Sequence, residues 1–175
     1  MAEPADAADA AAAFEALLTP AGQELLHRLR HEDDPAGLWL GMELRARYPV
    51  ELVTAALAQQ ELRLRARAKF SRALDMYFTR PGLEQASAEV IAGHRSARYA
   101  GAGVVADLCC GIGGDLVTLA AGQGVLAVDH DRLHLRMAQA NADVYGVAAG
   151  LTVVAADVRE VSLGGVVGSG SPLLR

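Results

Sequence analysis

The run Val104-Val105-Ala106-Asp107-Leu108-Cys109-Cys110-Gly111-Ile112-Gly113-Gly114-Asp115 changes from apolar to glycine-rich at its midpoint. Its first part reads as a buried strand and its glycines as a tight turn, with a helix predicted to begin near Gly114. The same grammar continues downstream. Val125-Leu126-Ala127-Val128, ending in Asp129, is a second short apolar strand, and Asp131 to Tyr145 is a helix with Leu135, Ala138 and Ala142 on one face. Asp131 lies near its N-terminus, where the helix dipole favours a carboxylate. Leu151-Thr152-Val153-Val154, ending near Asp157, is a third strand. Strands alternating with helices pair in parallel through right-handed crossovers, so the fold class is α/β.

Toward the N-terminus the pattern is helical. Leu83 to Tyr99 reads as one helix carrying Ala86, Val90 and Ile91, preceded by a turn at Thr79-Arg80-Pro81-Gly82. Val50, Val53, Leu57, Gln60 and Leu64 recur at helical spacing after Pro49, whose missing N–H costs nothing at a helix start. Further helices are expected from near Pro35 to Arg47, with Leu38, Leu40, Met42 and Leu44, and around Ala21 to Arg30, with Leu25, Leu26 and Leu29. Met1 to Ala13 is nearly all Ala, Asp and Glu and is expected to be a loose tail. The organisation predicted is a disordered tail over 1–13, a helical region over 14–100, a partial Rossmann-like sheet of about three strands over 101–161, and an irregular Gly/Ser-rich tail over 162–175.

The 175 residues are 52% hydrophobic and 21% charged with a net charge of −5, the balance of an ordinary globular protein large enough to bury its own core. Cys109 and Cys110 are adjacent, which builds no disulfide framework and no spaced metal-ligand set. No long apolar run suits a membrane span and the N-terminus is acidic, so a cytoplasmic location is expected. The overall acidity gives no global attraction for nucleic acid. Locally, Arg63, Arg65, Arg67, Lys69 and Arg72 form a basic run, read either as a solvated helix end or as a patch facing the phosphates of an RNA.

In an open parallel sheet, ligands sit beyond the carboxyl ends of the strands. The dinucleotide fingerprint fails here in both registers, with Cys109 at its first position in one and Leu116 at its sixth in the other. Asp107 ends the strand just before the turn, where it would sit poorly beside a pyrophosphate but can accept hydrogen bonds from an ammonium group. Asp129 can accept both hydroxyls of a ribose, and Asp157 an adenine amino group. Three carboxylates ending three successive strands describe a site for S-adenosylmethionine, which carries an ammonium, a ribose diol, an adenine amine and a cationic sulfonium.

Asp107 to Asp115 resembles motif I of class I S-adenosylmethionine-dependent methyltransferases, and its Cys-Gly-x-Gly-Gly core resembles the RNA cap guanine-N2 (trimethylguanosine synthase-like) branch. Lys69-Phe70-Ser71-Arg72 and Phe78-Thr79-Arg80-Pro81-Gly82-Leu83-Glu84-Gln85-Ala86-Ser87 resemble the lead-in of bacterial methyltransferases with a THUMP-like domain. The resemblance spans about Leu17 to Val161. It implies that Asp107 faces the methionine end of the cofactor, Gly111 and Gly113 give it backbone room, Asp129 holds the ribose and Asp157 the adenine. Asp115 is expected to cap its helix, Cys109 and Cys110 to pack at the strand end, and His130 and His134 to lie on the surface without binding metal.

The family's sheet has seven strands, with catalysis carried after the fourth by an Asp-Pro motif. Between Gly103 and Arg175 three strands fit and seven do not, and the only proline beyond Pro81 is Pro172, preceded by Ser171. The catalytic residues are therefore not assigned. The expectation is a truncated or frameshifted fragment whose first strand keeps an unpaired edge and whose parent methylates an RNA base. The alternative is a non-catalytic module that binds the cofactor or a partner chain completing the sheet.

Overall fold

A computed structural model describes residues 4–161 and 173–174. The chain divides into two compact units, Met1–Arg65 and Ala66–Arg175, so the helical region expected over 14–100 is split at Arg65.

The first unit holds α1 (Pro4–Leu18), α2 (Pro20–Leu29), α3 (Leu38–Arg45) and α4, which runs Val50–Ala66. The tail expected over Met1 to Ala13 is thus helical from Pro4, in keeping with alanine's top rank as a helix former. Thr19 caps α2, its Oγ1 accepting the Gly22 N–H at 3.2 Å, with Pro20 in the first turn. Gly22 has no alternative: a Cβ there would stand 2.3 Å from the Ala16 carbonyl oxygen. Leu25, Leu29, Leu44 and Val53 are fully buried. On α4 the predicted stripe holds for Val53 and Gln60, whereas Val50 is exposed.

The second unit contains α5 (Arg80–Gln85), α6 (Glu89–Ser96), β1 (Val104–Leu108), α7 (Leu116–Leu119), β2 (Gly124–Asp129), α8 (Arg132–Tyr145), β3 (Leu151–Ala155) and β4 (Leu173–Leu174). The strands are parallel in the order β3-β2-β1-β4, with Asp107 level with Ala127 and Val128 level with Val154. The three-stranded α/β half-sheet read from the sequence is present. On one face Val105, Val125 and Ala127 pack with Leu116, Leu119, Leu135 and Ala138, and on the other Ala106, Leu126 and Val128 form a second cluster. Asp131 caps α8 by accepting the Leu133 and His134 N–H groups, and Gly146, at φ +72°, ends it.

Two expectations are corrected. The single helix over Leu83 to Tyr99 is two, because Ala86 and Ala88 are extended and Lys69 Nζ donates to the carbonyls of Leu83, Glu84 and Ala86 at 2.7, 3.2 and 2.8 Å, closing α5. The far edge of β1 is not wholly open: Leu173 and Leu174 pair with Val105 and Ala106, within the stretch expected to be an irregular tail. The rest of 162–175 lies outside the described residues.

Candidate functional site

The site lies where β1 and β2 end. Asp107 is 1% exposed, one residue before the end of β1. The chain then turns sharply, with φ positive at Cys109 (+61°), Gly111 (+53°) and Gly113 (+84°). Asp129, at the end of β2 and also buried, braces this turn. Its Oδ2 accepts the Gly111 N–H at 2.8 Å and its Oδ1 the Asp131 N–H at 2.9 Å. A carboxylate has about four lone-pair positions, and with His130 Nδ1 also 3.3 Å from Oδ1, it is Oδ2 that keeps room for a further donor.

The two glycines differ. A Cβ on Gly111 would meet nothing within 4 Å, so its surroundings are open. A Cβ on Gly113 would press on the Ala138 Cα and Cβ at 3.1 Å, so the absence of a side chain there serves the packing of the turn on α8. Asn141 joins these parts from within. Fully buried on α8, it donates through Nδ2 to the carbonyls of Ile112 and Tyr77 at 2.9 and 3.0 Å and accepts the Tyr77 N–H at 2.8 Å.

Above the turn lies α5. A Cβ on Gly82 would stand 2.5 Å from Ile112 Cγ2, and one on Gly114 would stand 3.1 Å from Ala86 Cβ, so helix and turn meet where both lack side chains. Thr79 Oγ1, which accepts the Gly82 N–H, is 3.0 Å from His134 Nε2. At the other end Arg95 donates to Ser87 Oγ and to Asp115 Oδ1, the latter at 2.6 Å. Between them remains a cleft of about 150 Å³ lined by Gln85, Ser87, Cys109, Gly111, Asp115 and His134, among others. Cys109 is exposed. Burial, and then the Asp107 and Asp129 carboxylates, push the Cys110 thiol far above its usual range.

The structure brings Asp107, Gly111 and Asp129 together and places Asp157 just past the neighbouring end of β3, where the Ala156 N–H donates to the Asp129 carbonyl at 3.0 Å. Asp157 is paired with Arg159 through both oxygens, down to 2.5 Å, and this partner holds its carboxyl below the usual range. Asp115 stands at the start of α7 without capping it by a side-chain hydrogen bond; its carboxylate goes to Arg95 instead. His130 is exposed as expected, but the His134 side chain is only 18% exposed, held by Thr79. Within the basic run, Arg63 is buried, Arg65 stands 3.9 Å from Glu61, Lys69 closes α5, and Arg72 donates to the Val144 carbonyl at 2.6 Å. Asn141 and Arg95 escape a motif reading, whereas Gln85 falls within the Phe78–Ser87 run without a role assigned to it.

Residues 102–168 match the family described as RNA cap guanine-N2 methyltransferase. The chain resembles S-adenosylmethionine-dependent methyltransferases. Residues 6–66 match a different family, a domain of unknown function (DUF8688), and its end falls beside the boundary between the two units. Among solved structures, a Porphyromonas gingivalis W83 protein named as a methyltransferase is 25% identical with a TM-score of 0.54, over 62% of this chain and 28% of that one. This chain therefore spans little more than a quarter of that relative's length. No protein of curated function matches. Among the described residues no helix is long and apolar enough to cross a membrane.

Proposed function

We propose that the second unit binds S-adenosylmethionine across the ends of β1 and β2, and that the activity it serves is methylation of an RNA base in the cytoplasm. The observation that carries this reading is Gly111, a backbone position with open space beside it, hydrogen-bonded to a buried carboxylate and lining a cleft. When bound, the cofactor supplies an electrophilic methyl group on a cationic sulfur. Asp107 and Asp129, two buried carboxylates at neighbouring strand ends, favour a cationic ligand over an anionic one. Asp129 is the residue to hold the ribose hydroxyls, because its oxygens are fixed by backbone N–H groups and Oδ2 keeps acceptor capacity.

The cleft under α5 is smaller than the roughly 300 Å³ at which whole-ligand pockets begin, so it suits the methionine end alone, leaving the adenosine to lie toward Asp129. Asp157, paired with Arg159, would accept the adenine amino group through its remaining lone pairs. RNA would be met by Arg65, Arg67 and Arg72, the members of the basic run that are exposed.

Alkylation of Cys109 tests the binding. Iodoacetamide should label one thiol of the native chain, Cys109, and S-adenosylhomocysteine should slow that labelling; labelling unaffected by saturating ligand contradicts the assignment. Incubation with methyl-labelled S-adenosylmethionine and RNA transcripts then separates the two functions. Label in RNA supports the methyltransferase, and protection of Cys109 without transfer supports the non-catalytic module.

A further inference from the structure

The first unit turns apolar side chains outward on its shortest helix. On α3, Leu38 is 71% exposed, Trp39 80% and Met42 54%, while Leu44 on the opposite face is fully buried. Positions three and four apart are neighbours on a helix surface, so Met42 adjoins both Leu38 and Trp39 and the three form one patch. Exposed apolar patches with a tryptophan at their centre are the usual anchors of protein interfaces.

The charges beside this patch are arranged by end. Glu32, Asp33 and Asp34 precede α3, and Arg45 and Arg47 lie at its end and just beyond. Asp33, Asp34, Arg45 and Arg47 are all exposed. Glu43, the one acid within the helix, is already engaged by Arg28 at 2.6 Å. The surface is therefore acidic at one end, apolar in the middle and basic at the other. Such a surface is complementary to itself when turned end for end, which is the requirement for a two-fold interface. An axis passing between Leu40 and Gly41 sets Trp39 opposite Met42 of the second copy, a favourable ring–sulfur contact, and the same axis brings the acidic end of each copy toward the basic end of the other.

We propose that α3 pairs antiparallel with α3 of a second copy of this chain. A nucleic acid is disfavoured, because the acidic end would repel phosphate. At eight residues α3 is about 12 Å long, so the interface is small and assembly needs a high protein concentration.

Sedimentation equilibrium of the full chain from roughly 50 µM to 2 mM, a range that reaches above the dissociation constant of a weak contact, tests this at its upper end. The wild type should show twice the monomer mass of 18.3 kDa, and Trp39→Ser should return it to monomer with an unchanged helical circular dichroism spectrum. The decisive arm is a charge exchange. The pair Asp33→Lys with Asp34→Lys, and separately the pair Arg45→Glu with Arg47→Glu, should each abolish the dimer. An equimolar mixture of these two proteins should restore it, since both ends of the mixed pair are again attractive. A wild type that stays monomeric, a Trp39→Ser protein that dimerises as before, or a mixture that fails to dimerise would each overturn the proposal. Because no cofactor is present, none of these results bears on the binding of S-adenosylmethionine.

Discussion

Asn141 holds together the parts of the site that no motif names. It satisfies the Tyr77 N–H and the carbonyls of Tyr77 and Ile112, all in the interior. Leaving such groups unpaired costs about 1–3 kcal/mol each, so Asn141→Ala should lower the unfolding free energy by about 4 kcal/mol in urea titration. A loss below about 1 kcal/mol would mean that water replaces the amide. The two glycines should separate likewise. Gly111→Ala meets only the left-handed backbone penalty of about 1–2 kcal/mol, whereas Gly113→Ala adds a collision with Ala138 and should cost more, and equal losses would contradict the packing role assigned to it. The sequence pattern located this turn, its strand and Asp129 at the end of the next one, but not the hydrogen bonds by which Asp129 braces the turn. It could not say which glycine faces open space, because spacing along the chain does not report what lies opposite a missing side chain.

At the scale of elements, α5 and the start of α6 are positioned by side chains from other segments. Lys69 closes α5, and Glu89 in the first turn of α6 accepts the Ser71 N–H and Oγ–H and the Tyr145 hydroxyl at 2.7 to 3.0 Å. Burial alone would raise the Glu89 carboxyl, but those hydrogen bonds and the nearby Arg72 outweigh it and hold the group below its ordinary 4.5. A lowered carboxyl stabilises the fold above its unfolded-state value and loses that contribution as pH falls through its folded-state value. The unfolding temperature should therefore drop as the pH is taken below about 4.5, and Glu89→Gln should flatten that drop; an identical pH profile for the variant would contradict the assignment. Here the sequence misled. Periodicity over Leu83 to Tyr99 suits one helix, and the break comes from a lysine distant in sequence that a local pattern cannot register. Nor could a local pattern register that, within the basic run, Lys69 and Arg72 donate to backbone carbonyls.

For the whole molecule, the α/β half-sheet was legible because buried parallel strands read as short apolar runs and their order follows from right-handed crossovers. The boundary at Arg65 was not, because α4 continues the helical pattern up to the division without a glycine or proline to mark it. Nor was the pairing of Leu173 and Leu174 with β1, since two residues carry no periodicity. The central claim is that the ends of β1 and β2 form a site for S-adenosylmethionine. Calorimetric titration of the full chain with that cofactor tests it most directly, beside Asp129→Asn, which keeps one brace of the turn while removing the charge. Saturable one-to-one binding, weakened about tenfold or more by the substitution while the circular dichroism spectrum is unchanged, is the predicted result. A folded, monodisperse chain that takes up no cofactor, or binds it equally well without the Asp129 charge, would contradict the account.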